Sequence, residues 1–308
     1  MNTPIITGND AEGAGEAFRL AHVESSHPAA EAQTSPLPPT EFFGRPAFLT
    51  VSHQLHLEAI ATALSRVYTL SPCFRAEKSM TGRHLAEFWM LEAEWAFPTD
   101  NSVHNVCDVT ESLLKTVVAG LLESEDTAVL WKDGDLKKRQ KIVDASHSQT
   151  PWARITYTEA INHLVQKHAA DSFHYVPQWG QSLQSEHERW LAEIFVGGPV
   201  FVTDYPATLK PFYMRVNDDG ETVACFDLLV PNVGELIGGS VREERAHILQ
   251  EKMGDTTGSE WYVDLRKYGG APHAGFGMGF ERLVSWVTGT ENIRECIPMP
   301  RWNGRMLL

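Results

Sequence analysis

Apolar and polar positions along this chain fall into segments that predict both helices and strands. Apolar residues recur at helical spacing over 54–68, where Leu57, Ile60, Ala61 and Leu64 share one side. The same spacing predicts helices over 103–122, 158–167 and 186–195. Segments 48–51, 200–206, 213–216, 223–230 and 261–266 are short and predict strands. The stretch 71–97 reads SPCFRAEKSMTGRHLAEFWMLEAEWAF. Its start predicts a strand with Phe74 and Ala76 on one face and Arg75 and Glu77 on the other, because strand side chains alternate. The polar segment 78–82 holds a glycine and predicts a turn. Residues 85–94 alternate again in part, with Glu87, Trp89 and Leu91 against Phe88, Met90 and Glu92. Two antiparallel strands joined by a charged loop would gather Arg75, Glu77, Arg83 and His84 around an anion, since an arginine fork suits phosphate. The plainer alternative is a solvated charged hairpin.

A second stretch, HAGFGMGFER at 273–282, reads as a glycine-rich turn running into a helix over 283–288. Glycines at 275, 277 and 279 let backbone approach a flat ligand. The spacing is not that of a dinucleotide-binding loop, so this stretch alone carries little. The charge cluster at 133–141 and the EHER run at 186–189 both read as solvated helix faces. Residues 21–40 are rich in Ala, Ser, Pro and His and read as a mobile loop. The mixed order of helices and strands agrees with an α+β fold.

Composition narrows the function. At 308 residues the chain suits one large domain or two small ones, and 43% apolar content can bury a sizeable core. A net charge of −14 argues against nonspecific binding to DNA or membranes. The cysteines Cys73, Cys107, Cys225 and Cys296 are scattered without metal spacing and read as reduced thiols. No apolar run is long enough for a membrane span, and the start lacks a signal-peptide pattern, so a cytoplasmic protein is expected.

The two stretches together resemble motifs 2 and 3 of class II aminoacyl-tRNA synthetases. FRAE, RHLAEFWMLEAE, GGSVREER, WYVDLRKYGGAPHAGFGMGFERL and NIRECIPMPR are similar, in order, to the asparaginyl-tRNA synthetase family. The resemblance covers essentially the whole chain. It implies an antiparallel sheet flanked by helices, over 1–308 as a single catalytic domain. It also implies a shortened paralogue, without the anticodon-binding domain and most of motif 1, which leaves the usual homodimer in doubt.

The reaction implied by the resemblance is attack of an amino-acid carboxylate on the α-phosphate of ATP, with Mg²⁺ as cofactor. Arg75 would bridge α-phosphate and carboxylate. Glu77 would meet the adenine amino group or ribose. Phe88 would lie under the adenine with Arg282 stacked from the other face. Arg83 and His84 would reach the outer phosphates. Asp227 and Glu235 match the acids that hold Mg²⁺, a cation that takes oxygen ligands. For the amino acid, the matches are Glu12, Ser52, Gln54, Glu92, Arg242 and His273. Aspartate-using relatives place a Lys where this chain has Leu57, so asparagine is expected over aspartate.

Departures from the family pattern are His53 for a Gly, Lys78 and Met80 for two Asn, Ala93 and Trp95 for Pro and Met, and Gln181-Ser182 for an acidic pair. The first expectation drawn from these is an enzyme that adenylates asparagine or aspartate and passes it to a non-tRNA acceptor such as an amine. An asparagine-tRNA ligase is the alternative. A non-catalytic regulatory or binding paralogue is a third.

Overall fold

A computed structural model of the chain describes residues 1–8, 17–21, 41–79, 81–97, 102–131, 136–254 and 259–306. The loop expected over 21–40, apart from residue 21, lies outside the described residues, as does Glu12. Two short strands, β1 (Ile6–Thr7) and β2 (Phe48–Leu49), pair antiparallel. Helix α1 (Gln54–Leu64) follows and ends sooner than its apolar spacing predicts. Ser65 takes φ 66, and the chain turns into β3 (Arg66–Phe74). Burial alternates strictly from Arg66 to Ser71, which is the mark of a strand. β4 (Glu87–Ala96) returns antiparallel, with Phe74 opposite Glu87. The predicted hairpin is therefore present, but its first strand ends at Phe74. Arg75 and Glu77 stand on the connecting loop.

The middle of the chain supplies α2 (Val103–Glu123), α3 (Glu125–Leu130), α4 (Leu136–His147), β5 (Ala153–Thr156) and α5 (Tyr157–Ala170). Thr156 and Glu159 form a capping box at the start of α5, satisfying two otherwise unpaired backbone donors. α6 (Ser185–Trp190) continues into a π-helical turn, Leu191–Val196. β6 (Val200–Thr203), β7 (Cys225–Val230) and β8 (Gly234–Val241) lead to α7 (Ala246–Met253) and α8 (Glu260–Lys267). β9 (His273–Gly279) and α9 (Phe280–Thr288) complete the order. Segment 213–216 makes only isolated bridges, Met214 to Arg242 and Val216 to Val223.

Seven strands form one sheet in the order β3-β4-β9-β8-β7-β6-β5, antiparallel except where β5 joins β6. One face carries Leu91, Ala93 and Trp95 of β4, Phe276 and Met278 of β9, and Phe226 and Leu228 of β7. It packs on α2 and α9. On the opposite face Val200, Val202, Cys225 and Leu229 pack with α5 and α8. Around β4, β9 and β8 that second face stays open and becomes the floor of a cleft.

Two expectations are corrected here. The glycine-rich 273–279 is a central strand, not a turn. Ala274, Phe276 and Met278 enter the core while Gly277 and Gly279 line the cleft. A Cβ on Gly275 would collide with the Glu94 carboxylate and the Ala93 carbonyl, so only glycine admits this strand pairing. Segment 261–266 is helix α8, not a strand. Tyr262 and Arg266, four residues apart and so on one helix face, both reach Glu58.

Candidate active site

The open face holds a cleft of about 320 Å³. Its walls come from the β3–β4 loop, the segment before α1, the 207–214 connection, and the start of α9. Of the residues expected to bind ATP, Arg75, Glu77, Arg83, His84, Phe88 and Arg282 all line it. Asp227 and Glu235 line the same end, and Ser52, Gln54, Glu92 and Arg242 line it as well.

The β3–β4 loop is held in place by its neighbours. Arg75 N donates to Ala86 O at 3.0 Å, and Ile293 N donates to Gly82 O at 3.0 Å. His84 Nδ1 pairs with Thr81 Oγ1 at 2.7 Å and Ser79 Oγ at 2.9 Å, while its Nε2 lies 3.3 Å from Glu77. Burial lowers the His84 pKa; Glu77 opposes this, and Arg282, Arg83 and Arg75 reinforce it. In the free protein this favours the uncharged ring over the imidazolium. The guanidinium over the Phe88 ring is that of Arg75, at 5.5 Å. Arg282 instead engages Glu235, donating from Nη1 to its backbone oxygen at 2.9 Å and lying 3.4 Å from its carboxylate.

Asp227 and Glu235 reach the cleft from adjacent strands. Both flank Gly238: a Cβ placed there would sit 3.4 Å from Glu235 Oε1 and 3.6 Å from Asp227 Oδ1. Two hard carboxylate oxygens around a bare backbone make a donor set that fits Mg²⁺. Burial raises the Asp227 pKa, with Lys210 pulling against it and Glu235 adding to it. Burial also pushes Glu235 up, but Arg282, Lys210 and Arg75 outweigh it and leave its pKa lowered.

Two residues at this end escaped the sequence reading. Lys210 donates to both Asp227 oxygens, at 2.7 and 2.8 Å. Glu188 accepts from Arg83 Nη2 at 3.1 Å and from Glu235 N at 3.3 Å. The EHER run is thus a solvated face only in part: Arg189 is exposed, but His187 is buried and Glu188 ties α6 to the cleft. The π-helical turn adds a second clamp, Glu193 accepting from Asn232 N at 2.7 Å in the β7–β8 turn. A buried His187 beside a half-buried Glu188 needs the fold to be seen. An acid run on a predicted helix gives no such sign.

At the other end Glu92 is held by Ser52 Oγ at 2.5 Å and by His53 N at 2.9 Å. Gln54 Nε2 and Arg83 Nη1 are buried and make no hydrogen bond among the described residues, so both have a donor to give to a ligand. Arg242 is clasped from behind by Glu94, donates to Ser240 Oγ at 2.6 Å, and lies 5.2 Å over the Tyr213 ring. Burial pushes Glu94 up to about 7, against the pull of Arg242. His53, the departure from a family glycine, fills the space behind Glu92. Its ring contacts Thr3 Oγ1 at 2.6 Å and Pro72 O at 3.1 Å.

His273 does not line the cleft, contrary to expectation. Its Nε2 lies 2.7 Å from Glu58 in a buried cluster with Arg266 and Tyr262. Burial would raise the Glu58 pKa, but Arg266 and His273 carry it far below the usual carboxylate range. Burial lowers His273, but Glu58 outweighs it and the pKa ends raised. Leu57, from which asparagine was expected over aspartate, is also away from the cleft, packed on Ala61 and Val67. Its identity therefore bears on the pocket only indirectly.

Comparisons with known proteins now bear on this geometry. The family model for tRNA synthetases class II (D, K and N) matches residues 1–303. A protein of Desulfotalea psychrophila named Asparagine--tRNA ligase is 49% identical over 99% of this chain and 65% of its own length. One of the same name from Hahella chejuensis is 47% identical over 98% of this chain and 64% of its own. The solved asparaginyl-tRNA synthetase of Pyrococcus horikoshii, complexed with asparaginyl-adenylate, superposes with a TM-score of 0.83 at 34% identity. It covers all of this chain, which covers 64% of it. The chain thus spans about 65% of the length of the curated relatives it matches. These relatives overturn the expectation of a non-tRNA acceptor, because proteins named for tRNA charging align with nearly the whole chain. Two of the departures, Ala93 and Trp95, lie in β4 and pack on the core, Trp95 against Phe276 at 6.0 Å.

Proposed function

The chain belongs to the class II tRNA synthetase family of the D, K and N type, and on that premise we propose that it activates asparagine with ATP and transfers it to tRNA. The observation that carries this reading is one cleft with two chemically distinct ends. Arg75, Arg83, Arg282 and the Asp227–Glu235 pair stand at one end, and Glu92 with Arg242 at the other.

In the first step the asparagine α-carboxylate forms a bond to the α-phosphorus. The bond to the bridging oxygen breaks, and pyrophosphate leaves with the electron pair. No covalent help from the protein is needed, so the contribution is positioning and charge neutralisation. Arg75 spans the incoming carboxylate and the α-phosphate. Arg83 and His84 take the outer phosphates, and Phe88 gives the base an aromatic face. Asp227 and Glu235 would hold Mg²⁺, which when bound would supply positive charge beside the leaving phosphates. In the second step a terminal ribose hydroxyl of tRNA attacks the acyl carbon and AMP departs.

Glu92 receives the α-ammonium, and Arg242 with Gln54 Nε2 faces the side chain. Asparagine is preferred over aspartate because the Arg242 guanidinium is already engaged by both oxygens of Glu94, with Glu92 near. A further carboxylate would enter a site without a spare cation. Pyrophosphate exchange measured with asparagine and with aspartate tests the first step. Acceptance of asparagine by purified tRNA tests the second. Exchange without any tRNA charging would sink the ligase reading.

A further inference from the structure

The phosphate end carries acids and bases already joined in pairs. Lys210 holds Asp227, Arg282 engages Glu235, and Arg83 holds Glu188. Among these, Lys210 is placed differently from the arginines. It follows the short 3-10 turn Ala207–Leu209, lies 4.0 Å over the Tyr205 ring, and touches both oxygens of a carboxylate that also belongs to the metal-binding pair. A divalent ion bound by Asp227 needs those same oxygen lone pairs. Ammonium and metal therefore compete for one carboxylate. Lys210 also lines the cleft, and its flexible stem lets the ammonium move once Asp227 is taken.

We propose that Lys210 is an internal counter-ion which occupies Asp227 in the free protein, yields it to the divalent metal, and then turns to the phosphates of the nucleotide. In the free protein it keeps two carboxylates compatible in one site, since like charges at such spacing repel. With nucleotide bound it adds one positive charge beside the departing pyrophosphate. The second half rests on the adenylation reading above; the competition for Asp227 does not.

Mn²⁺ alone, titrated into the full chain without ATP, asparagine or tRNA and followed by its paramagnetic signal, tests the first half. Lys210→Gln should bind Mn²⁺ about tenfold tighter than the unmodified protein, because one competing unit charge is gone. Lys210→Arg, which keeps a cation on Asp227, should bring the affinity back toward the original. The same Lys210→Gln protein should need about tenfold more ATP for half-maximal pyrophosphate exchange, with the asparagine requirement unchanged. A lysine that merely braces the fold would weaken both metal and nucleotide, so unchanged or weaker Mn²⁺ binding overturns the proposal. A second readout uses the unmodified chain and survives a variant that does not fold. Acetylation of Lys210 by acetic anhydride, followed by mass spectrometry, should speed up when Mn²⁺ is added, and an unchanged rate overturns the idea equally. Neither Mn²⁺ readout needs catalysis, so failure of the ligase reading and failure of this one are told apart.

Discussion

The two ends of the cleft are built from the same ingredients, arginines and carboxylates, in opposite ways. At the phosphate end the pairs keep some contact with water: Arg282 and Glu235 lie 3.4 Å apart with side chains 27% and 38% exposed, and Lys210 and Asp227, though only 2.7 Å apart, are 15% and 16% exposed. Beneath the amino-acid end the pairs are dry: Arg242 and Glu94 are 2% and 1% exposed, Arg266 and Glu58 3% and 0%. A half-exposed ion pair contributes little and is easily exchanged for a ligand charge. A buried pair has given up its hydration, so breaking it strands a charge in a poor solvent. The first end is suited to trading partners with phosphates and a metal. The second is suited to staying fixed, holding Arg242 at one position, as the proposed reading of a substrate side chain requires.

The contrast can be broken most severely by removing a cation that the proposed function puts on the reacting atoms. Arg75→Ala should lower asparagine-dependent pyrophosphate exchange about a thousandfold, the scale of losing a preorganised charge at a developing oxyanion. Its urea unfolding curve should barely move. A variant of this residue that unfolds early would remove the distinction between the two ends.

Glu58→Gln should do the reverse, destabilising the protein by about 3–5 kcal/mol because Arg266 loses a buried partner. The urea midpoint checks this. A cost below 1 kcal/mol would mean that the buried cluster is not a fixed scaffold.

The pH dependence sharpens the same point. Glu58 is lowered from 4.5, so its contribution is present above that value and lost as pH falls below it. His273 is raised from 6.5, so its contribution is full below that value and lost as pH rises through the shifted one. The stability gap between the unmodified protein and Glu58→Gln should therefore be widest between pH 4.5 and 6.5. Unfolding free energies measured across that range would show a flat gap if the pair does not act together.

The smallest effect is expected at Arg83. Arg83→Gln breaks a partly exposed pair with Glu188 and should raise the ATP requirement about tenfold, the cost of one charge-assisted hydrogen bond, with little change in stability. Equal change in the ATP and asparagine requirements would argue that Arg83 braces the loop as a whole.

Much of the cleft was legible from residue order. Period-two alternation around Arg75 and Phe88 predicts a hairpin, and a hairpin tip must bring Arg75, Glu77, Arg83 and His84 together. The strand at 273–279 was also legible in principle: Ala274, Phe276 and Met278 alternate with glycines at a period of two. The glycines suggested a turn because their small size is ambiguous until a neighbouring strand shows what it admits. Helix α8 was misread because eight residues rich in Trp, Tyr and Val satisfy either period. Glu188 and Lys210 left no local trace at all, since each acquires its role from a partner far away in the chain, Arg83 or Asp227.

Local order, then, fixed which segments could become strands or helices and which arginines would share a loop, because backbone geometry and side-chain alternation act over a few residues. Only the assembled sheet decided that a glycine-lined strand forms the cleft floor, that His273 turns away from it toward Glu58, and that Lys210 rests on Asp227. Those choices depend on burial and on charges meeting across the fold, and neither has a counterpart in a short window of residues.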